Sequence, residues 1–98
     1  MNEAKFQNTV LKPRLKDTFP GCIVMKNDPN IIQGIPDLTV LYQDKYALLE
    51  VKKSRTASHQ PNQDYYIEEV QNMGGYARFV YPENLEEVLA DMHLWFNK

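Results

Sequence analysis

The fold is decided by residues 34–53, which read GIPDLTVLYQDKYALLEVKK. Apolar, β-branched and aromatic side chains fill 38–42 and 46–51, and runs of this composition are typical of strands. The three residues between the two runs, 43–45, have the length of a hairpin turn. The stretch therefore predicts two antiparallel strands that lie side by side, with the other elements flanking this hairpin.

The residues on either side of the hairpin alternate between helical and extended patterns. Helical spacing of apolar residues predicts one helix before the hairpin, at about 3–16, and two after it, at about 62–73 and from Pro82 onward. Short apolar runs predict two further strands, at 22–25 and 76–81. The order of helix, three strands, helix, strand and helix predicts an α/β protein with helices packed around a small mixed sheet.

Two details of the helices carry further expectations. Pro13 lies inside the first helix, and because proline lacks an N–H and clashes with the preceding turn, we expect a kink or an early end. The last helix has a heavy apolar stripe for so small a chain, and the stripe could pack on the sheet or form a two-fold interface. Its members are Leu85, Val88, Leu89, Met92, Trp95 and Phe96.

Three charged residues of the hairpin are candidates for chemistry. Side chains alternate across a sheet, so Glu50 and Lys52 share one face. If the hairpin closes with an even number of loop residues, Asp37 lies on the same face, directly opposite Glu50 or one diagonal step away. Because the other residues on this face, Leu41 and Leu48, are apolar, we expect the charged cluster at the edge of the core.

Two carboxylates this close repel each other unless a cation compensates their charge. Mg²⁺ is commonly held by one or two carboxylates together with water and phosphate oxygens. Such an ion lowers the pKa of water and so makes a nucleophile available near neutral pH, and Lys52 can orient that water or hold a phosphate. Asp37, Glu50 and Lys52 together therefore predict metal-assisted hydrolysis of a phosphodiester. The alternative is a strand-entry turn beside a solvated ion pair.

The composition is that of one small globular domain spanning residues 1–98, with 43% hydrophobic and 24% charged residues. The single cysteine, Cys22, excludes an internal disulfide and favours a reducing compartment. No apolar run approaches the roughly 20 residues that a membrane-spanning helix needs, and no charged-then-apolar leader opens the chain. We therefore expect a cytoplasmic protein.

A net charge of −2 counts against a nucleic-acid partner, but the charge is unevenly distributed. Residues 1–63 contain nine Lys and Arg against six Asp and Glu, whereas residues 64–98 contain two against seven. Lys53 and Arg55 bring positive charge to the polar loop that comes after the hairpin, so we expect this loop to contact phosphates. An ordinary mobile polar loop is the alternative.

Residues 34–38 (GIPDL) and 50–53 (EVKK) resemble the PD-(D/E)xK nuclease signature. The order of elements resembles that superfamily's restriction-endonuclease-like core of helix, three strands, helix and strand, with a C-terminal helix added. In particular, the chain is similar to small stand-alone VRR-NUC domains, which are cousins of the archaeal Holliday-junction resolvases. Gln63 lies eleven residues before Gly74, as the pattern of those domains requires. The resemblance covers the chain from Glu3 to Tyr81.

The resemblance implies a role for each matching residue. Asp37 and Glu50 would bind Mg²⁺, for which Mn²⁺ can substitute, with the backbone carbonyl of Val51 as a further ligand. Lys52 would orient the attacking water and stabilise developing charge. The remaining two positions are Glu3, which would complete the site directly or through water, and Gln63, which would support the site or contact the DNA backbone.

These features together predict a metal-dependent DNA endonuclease that acts on branched or structured DNA such as four-way junctions. The resemblance also implies a homodimer, located in the cytoplasm of a bacterial or phage-infected cell. One alternative is a nuclease for DNA ends or flaps in phage replication or recombination. The other is a non-catalytic DNA-binding protein on a nuclease fold, against which the intact Asp37, Glu50 and Lys52 argue.

The two histidines and the cysteine lack the clustering that a zinc site requires. His59 is interpreted as a solvated loop residue and His93 as a residue packed within the last helix. Cys22 is interpreted as buried strand filler, since no base is placed near it to activate the thiol. Tyr65 and Tyr66 could stack on bases, but completing the apolar face of a helix is the more common role.

Overall fold

The computed structural model describes every residue from Met1 to Lys98 and contains one four-stranded sheet with helices on both faces. The strands are β1 (Ile23–Lys26), β2 (Leu38–Tyr42), β3 (Lys45–Val51) and β4 (Tyr76–Val80). They lie in the order β1-β2-β3-β4, in which the first three are antiparallel neighbours and β4 runs parallel to β3. The prediction of an α/β protein with a small mixed sheet is confirmed.

Three helical regions surround this sheet. The first is made of three consecutive segments: α1 (Glu3–Phe6), a π-helical segment (Gln7–Leu11) and α2 (Lys12–Thr18). The second, α3 (Pro61–Asn72), connects β3 to β4, and a 3-10 turn (Pro82–Asn84) leads into α4 (Leu85–Phe96). None of the helices combines the length and the apolar character that crossing a membrane requires.

The hairpin closes through a two-residue turn rather than the three residues that the sequence suggests. Tyr42 pairs with Lys45, and Gln43 adopts the left-handed conformation with φ of 57° that such tight turns require. The loop length is therefore even, and the register pairs Leu38 with Leu49. One residue further along, this register sets Asp37 opposite Glu50.

The expectation that Pro13 ends the first helix early is wrong, because the helix continues to Thr18. Pro13 lies near the start of α2, directly after the π-helical segment. There the Lys12 N–H donates to the Gln7 carbonyl, five residues back instead of four. This wider turn interrupts the regular hydrogen bonds to the carbonyl four residues back, directly beside Pro13, which has no N–H with which to make one.

The main hydrophobic core lies between one face of the sheet and the helices α2 and α4. The stripe of the last helix is used here: Val88 and Met92 are fully buried, and Phe96 packs edge-on against Phe19 and Tyr42. Each such side chain contributes about 1.5–3 kcal/mol by leaving water. The apolar stripe of α4 therefore packs on the sheet and is not available as an interface for a partner.

A smaller cluster lies on the other face, under α3. It consists of Leu48, Ile67, Val70 and Ala77. Leu48 is thus buried as expected, but its predicted companion on that face, Leu41, is 37% exposed, because α3 packs mainly on β3 and β4. The charged end of the hairpin consequently borders the small core under α3.

Gly34, in the loop before β2, packs closely against the start of α3. Its φ is +89°, and a Cβ built there would lie 2.7 Å from the Asn62 side chain and 2.9 Å from the Asn62 backbone carbon. A side chain at position 34 would therefore push the loop and α3 apart. Because Asp37 lies just beyond this loop and Gln63 is the residue after Asn62, the close approach brings both residues to the same end of the sheet.

Replacing Gly34 with alanine is expected to lower the free energy of unfolding by about 2–4 kcal/mol, because the change adds a backbone clash to an unfavourable φ. Gly21→Ala is the matched control, since Gly21 has φ of +88° with nothing within 4 Å of the added Cβ. Its expected cost is about 1 kcal/mol. Urea unfolding of both variants makes the comparison, and equal losses would contradict a role for the contact with Asn62.

Candidate active site

The structure brings Asp37 and Glu50 together at the end of the hairpin where β2 begins and β3 ends. The Asp37 N–H donates to Glu50 Oε1 at 3.2 Å. The Asp37 carboxylate reaches the other way and accepts from the Val51 N–H, with 2.9 Å between the nitrogen and Oδ2. The strand backbone thus holds both carboxylates, and the Val51 carbonyl faces the same side as its N–H.

Gln63 connects Glu50 to Lys52. Its Nε2 donates to Glu50 Oε2 at 2.9 Å, and its Oε1 accepts from Lys52 Nζ at 2.7 Å. Lys52 Nζ also donates to the Ser58 carbonyl at 3.1 Å and lies 3.9 Å from Glu50 Oε2. Gln63 belongs to the first turn of α3, where its Oε1 also accepts from the Gln60 N–H at 3.1 Å. The start of the helix therefore fixes the amide between acid and base.

Both charged members of this arrangement are buried, Glu50 at 3% and Lys52 at 6% exposure. They do not form the solvated ion pair that the alternative interpretation describes. Burial, and next the neighbouring Asp37 carboxylate, raise the pKa of Glu50 to about 8, against the opposing effect of Lys52. A carboxyl group with a pKa this far above its ordinary range is typical of functional sites.

The donor set of Asp37 and Glu50 fits a hard divalent cation of the Mg²⁺ type. Each carboxylate oxygen has two acceptor positions, and the hydrogen bonds to the backbone, Gln63 and Lys26 occupy only part of them. Mg²⁺ needs no more than one or two carboxylates because water and phosphate fill its other positions. The structure contains no cluster of three or more His, Cys, Asp or Glu side chains that could hold a metal ion.

Glu3 lies at the edge of this site and makes no hydrogen bond to its members. It lines an open cleft of about 750 Å³ together with Lys52, Lys53 and Ser58. Its charge contributes to the raised pKa of Glu50, which places it within electrostatic range. Glu3 is therefore brought near the carboxylate pair but does not join it as a third member.

Lys53 and Arg55 separate in the structure. Lys53 is exposed and lines the cleft beside Lys52. Arg55 lies on the other side of the same loop and lines a second cavity, while its backbone N–H donates to both oxygens of Glu83 at 3.3 Å. Of these two residues, Lys53 is therefore the one in position to contact a phosphate in the cleft.

Lys26 is the site residue that the sequence interpretation missed. Its Nζ lies 3.2 Å from Asp37 Oδ1, so it supplies the positive charge next to Asp37. Lys26 ends β1 and pairs with Leu38, the residue directly after Asp37, so its position follows once the strand pairing is known. Recognising it would have required the register between β1 and β2, which no local pattern specifies.

The remaining candidates from the sequence lie outside the carboxylate cluster. His59 is exposed as expected but is not without partners, since it stacks on Phe79 with ring centroids 3.9 Å apart and its Nδ1 lies 3.0 Å from Asp64 Oδ1. The interpretation of His93 is wrong, because it is exposed instead of packed within α4.

Cys22 precedes β1 and is half-buried rather than fully buried strand filler. Its thiol is directed at the Leu15 carbonyl, with 3.7 Å between the sulfur and the oxygen. Burial is the main cause that raises the pKa of this thiol. A thiol in that state is a poor nucleophile.

No protein-family model matches the chain, and no curated protein matches it either. What the site can do is therefore inferred from its chemistry. Two adjacent carboxylates, one of them buried, provide hard oxygen ligands for a cation, and a buried lysine held by an amide provides N–H donors beside them. This arrangement is suited to binding a metal ion next to a phosphate and to stabilising negative charge there.

Proposed function

We propose that the protein is a Mg²⁺-dependent deoxyribonuclease of the PD-(D/E)xK superfamily, similar to VRR-NUC domains. The single observation that carries the proposal is the hydrogen-bonded chain from Asp37 through Glu50 and Gln63 to Lys52. It is supported by the resemblance of residues 34–38 and 50–53 to the nuclease signature. A purely structural ion pair does not require an amide that joins a buried acid to a buried base.

In this proposal Asp37, Glu50 and the Val51 carbonyl would hold the cation, with Glu3 contributing through water. Bound there, Mg²⁺ or Mn²⁺ would act as a Lewis acid that offsets the negative charge developing on the phosphate oxygens. The protein's own groups keep the ion's ligands in place: the Val51 N–H holds Asp37, and Gln63 holds Glu50.

Lys52 has the role of orienting water and stabilising charge. An ammonium group has three N–H donors, and the Gln63 side chain and the Ser58 carbonyl take two of them. The third is free to donate to the attacking water or to a phosphate oxygen in the cleft. In the reaction the water oxygen forms the new bond to phosphorus and the P–O bond to the leaving oxygen breaks, with its electrons going to that oxygen. The proton that the attacking water loses passes through solvent to the leaving oxygen.

We place the substrate among branched or structured DNA on the strength of the resemblance to junction-cleaving enzymes. The test is a cleavage assay on four-way junctions, flaps and linear ends, with Mg²⁺ or Mn²⁺ and with a chelator as control. Preferred cutting of flaps or ends would establish the first alternative. Tight DNA binding without cleavage under any of these conditions would establish the second, a non-catalytic binding protein.

Replacing Lys26 with methionine is expected to tighten Mg²⁺ binding about 3- to 10-fold, because the change removes a positive charge 3.2 Å from Asp37 Oδ1 that competes with the ion. Isothermal titration calorimetry measures the dissociation constant directly. Lys45→Met is the matched control, since Lys45 pairs with Asp44 at the turn end of the hairpin. Equal affinity in both variants would show that the ion does not bind at Asp37.

A homodimer, implied by the same resemblance, would present two active sites to a branched substrate. Some of the exposed apolar side chains lie at the β1 edge of the sheet, where Ile23 is 57% exposed and pairs with Leu41 of β2, which is 37% exposed. We expect sedimentation at micromolar concentration to give the mass of two chains and Ile23→Lys to reduce it to one. Leu94→Lys, an exposed position on α4, is the control. A single-chain mass for the wild type would contradict the dimer.

A further inference from the structure

A second cavity lies beside the candidate active site, on the other side of the loop that connects β3 to α3. Its volume is about 280 Å³, just below the roughly 300–1,000 Å³ that ligand sites occupy. The loop, the middle of α3 and the β4 edge form its walls, to which Arg55, His59 and Phe79 contribute. A cavity of this size suits one nucleotide unit better than a double helix.

The aromatic wall of this cavity is preformed. The His59 and Phe79 rings are parallel to within 13°, and Asp64 holds His59 from the side through Nδ1. The His59 side chain is still 34% exposed, so part of its ring is available for further contact. A planar ring supported in this way offers a stacking surface for a nucleobase, whatever the base.

The positive charge of the cavity comes from Arg55, whose guanidinium makes no hydrogen bond or ion pair within the protein. Its backbone is nevertheless held in place by Glu83. The other arginine of the cavity, Arg78, is neutralised by Glu87 and Asp91. Arg55 is therefore the group that remains available for a phosphate, and its planar fork suits two phosphate oxygens at once.

One loop thus serves both cavities. Lys53, Thr56 and Ser58 line the cleft of the candidate active site, whereas Arg55 and His59 line the second cavity. The residues that line the two cavities alternate along 53–59 of this loop. A DNA strand with a phosphate in the cleft would therefore cross the loop next to the second cavity. We propose, on the basis of the proposed nuclease function, that the second cavity binds one unpaired nucleotide flanking the reacting phosphate, with the base stacked on His59 and its phosphate on Arg55.

Stacking of a base within this cavity can be measured without any cleavage. The probe is a single-stranded ten-nucleotide oligothymidylate containing one central 2-aminopurine, titrated against full-length protein carrying Asp37→Asn. We expect its fluorescence to be quenched on binding and a fully paired duplex of the same length to show no such quenching. His59→Ala in this background should weaken binding about 5- to 100-fold and abolish the quenching.

Arg55→Ala should weaken binding of the same probe about 5- to 10-fold and leave part of the quenching, because it removes a phosphate contact and keeps the stacking surface. The matched controls are His93→Ala, an exposed histidine on α4, and Arg14→Ala, an arginine paired with Glu86. Near-UV circular dichroism confirms that each variant is folded.

Unchanged affinity and quenching in both cavity variants would overturn the inference, even if the wild type cleaves DNA. Equal losses of affinity and quenching in the cavity variants and the controls would overturn it as well, since the losses would then come from a general change in charge or stability. Conversely, quenching that depends on His59 in a protein that cleaves none of the DNA substrates would support the nucleotide site and disprove the nuclease proposal.

Discussion

Lys52→Met is expected to lower the rate of Mg²⁺-dependent DNA cleavage by about 10²- to 10⁴-fold. Methionine retains most of the buried stem of Lys52, which is only 6% exposed, but removes the three N–H donors. Two of these donors hold Gln63 and Ser58, and the third is the one assigned to water or phosphate. The loss should therefore appear mainly in the rate of the chemical step.

Lys53→Met is the control that separates this role from charge in general. Lys53 is the next residue and lines the same cleft, but it is exposed and makes no hydrogen bond. Its removal should weaken DNA binding by less than about 10-fold and leave the chemical step nearly unchanged. Single-turnover cleavage measures that step. If Lys52→Met cleaved as fast as Lys53→Met, the assignment of Lys52 would be wrong.

Glu50→Gln is expected to change stability and metal binding in opposite directions. The pKa of Glu50 is raised from 4.5 in the unfolded chain to about 8 in the folded protein. Below pH 4.5 Glu50 is protonated in both the folded and the unfolded state, so its ionisation does not change the free energy of unfolding in that range. Between pH 4.5 and 8 the folded state keeps a proton that the unfolded state releases, and the wild type loses stability as the pH rises.

Glutamine has nearly the same shape and cannot ionise, so the metal-free variant should escape this loss. We expect it to be more stable than the wild type by about 1–3 kcal/mol at pH 8, with little difference at pH 4. Glu68→Gln, an exposed position on α3, should show neither effect. Thermal unfolding across this pH range, with a chelator present, makes the comparison. A stability difference that does not depend on pH would contradict the raised pKa.

The same substitution should abolish Mg²⁺ binding, measured by calorimetry. In the wild type the ion must displace the Glu50 proton, so its affinity should rise with pH up to about 8 and then level off. Adding Mg²⁺ should therefore stabilise the wild type but not Glu50→Gln. Stabilisation of both proteins by the same amount would place the ion elsewhere.

The hairpin could be predicted from the sequence because its geometry is local. Alternation along 38–42 and 46–51 fixes the faces, and an even loop sets Asp37 opposite Glu50. The position of Gln63 in the first turn of α3 comes in the same way from the helix boundary. The even loop length itself was assumed, because the sequence suggested three turn residues where the structure has two.

Contacts between distant elements were not predictable in this way. Lys26 reaches Asp37 because β1 pairs with β2 in one register out of several, and His59 meets Phe79 because α3 crosses to the parallel β4. The early helix end allowed for at Pro13 does not occur for a different reason: helix rules assume regular α geometry, and a π-helical segment lies next to Pro13. Pattern rules do not describe such a local departure.

The neighbours of the Gln63 amide allow it only one orientation in the site. Its N–H end faces an acid and its carbonyl end faces N–H donors, so turning the group by 180° would create a mismatch at both ends. Glutamate at this position would set an acceptor against the ionised Glu50 carboxylate, and a lysine would set a donor against Lys52. The Gln63 amide satisfies both neighbours at once, so it couples the buried Glu50 carboxyl to the lysine that lines the cleft.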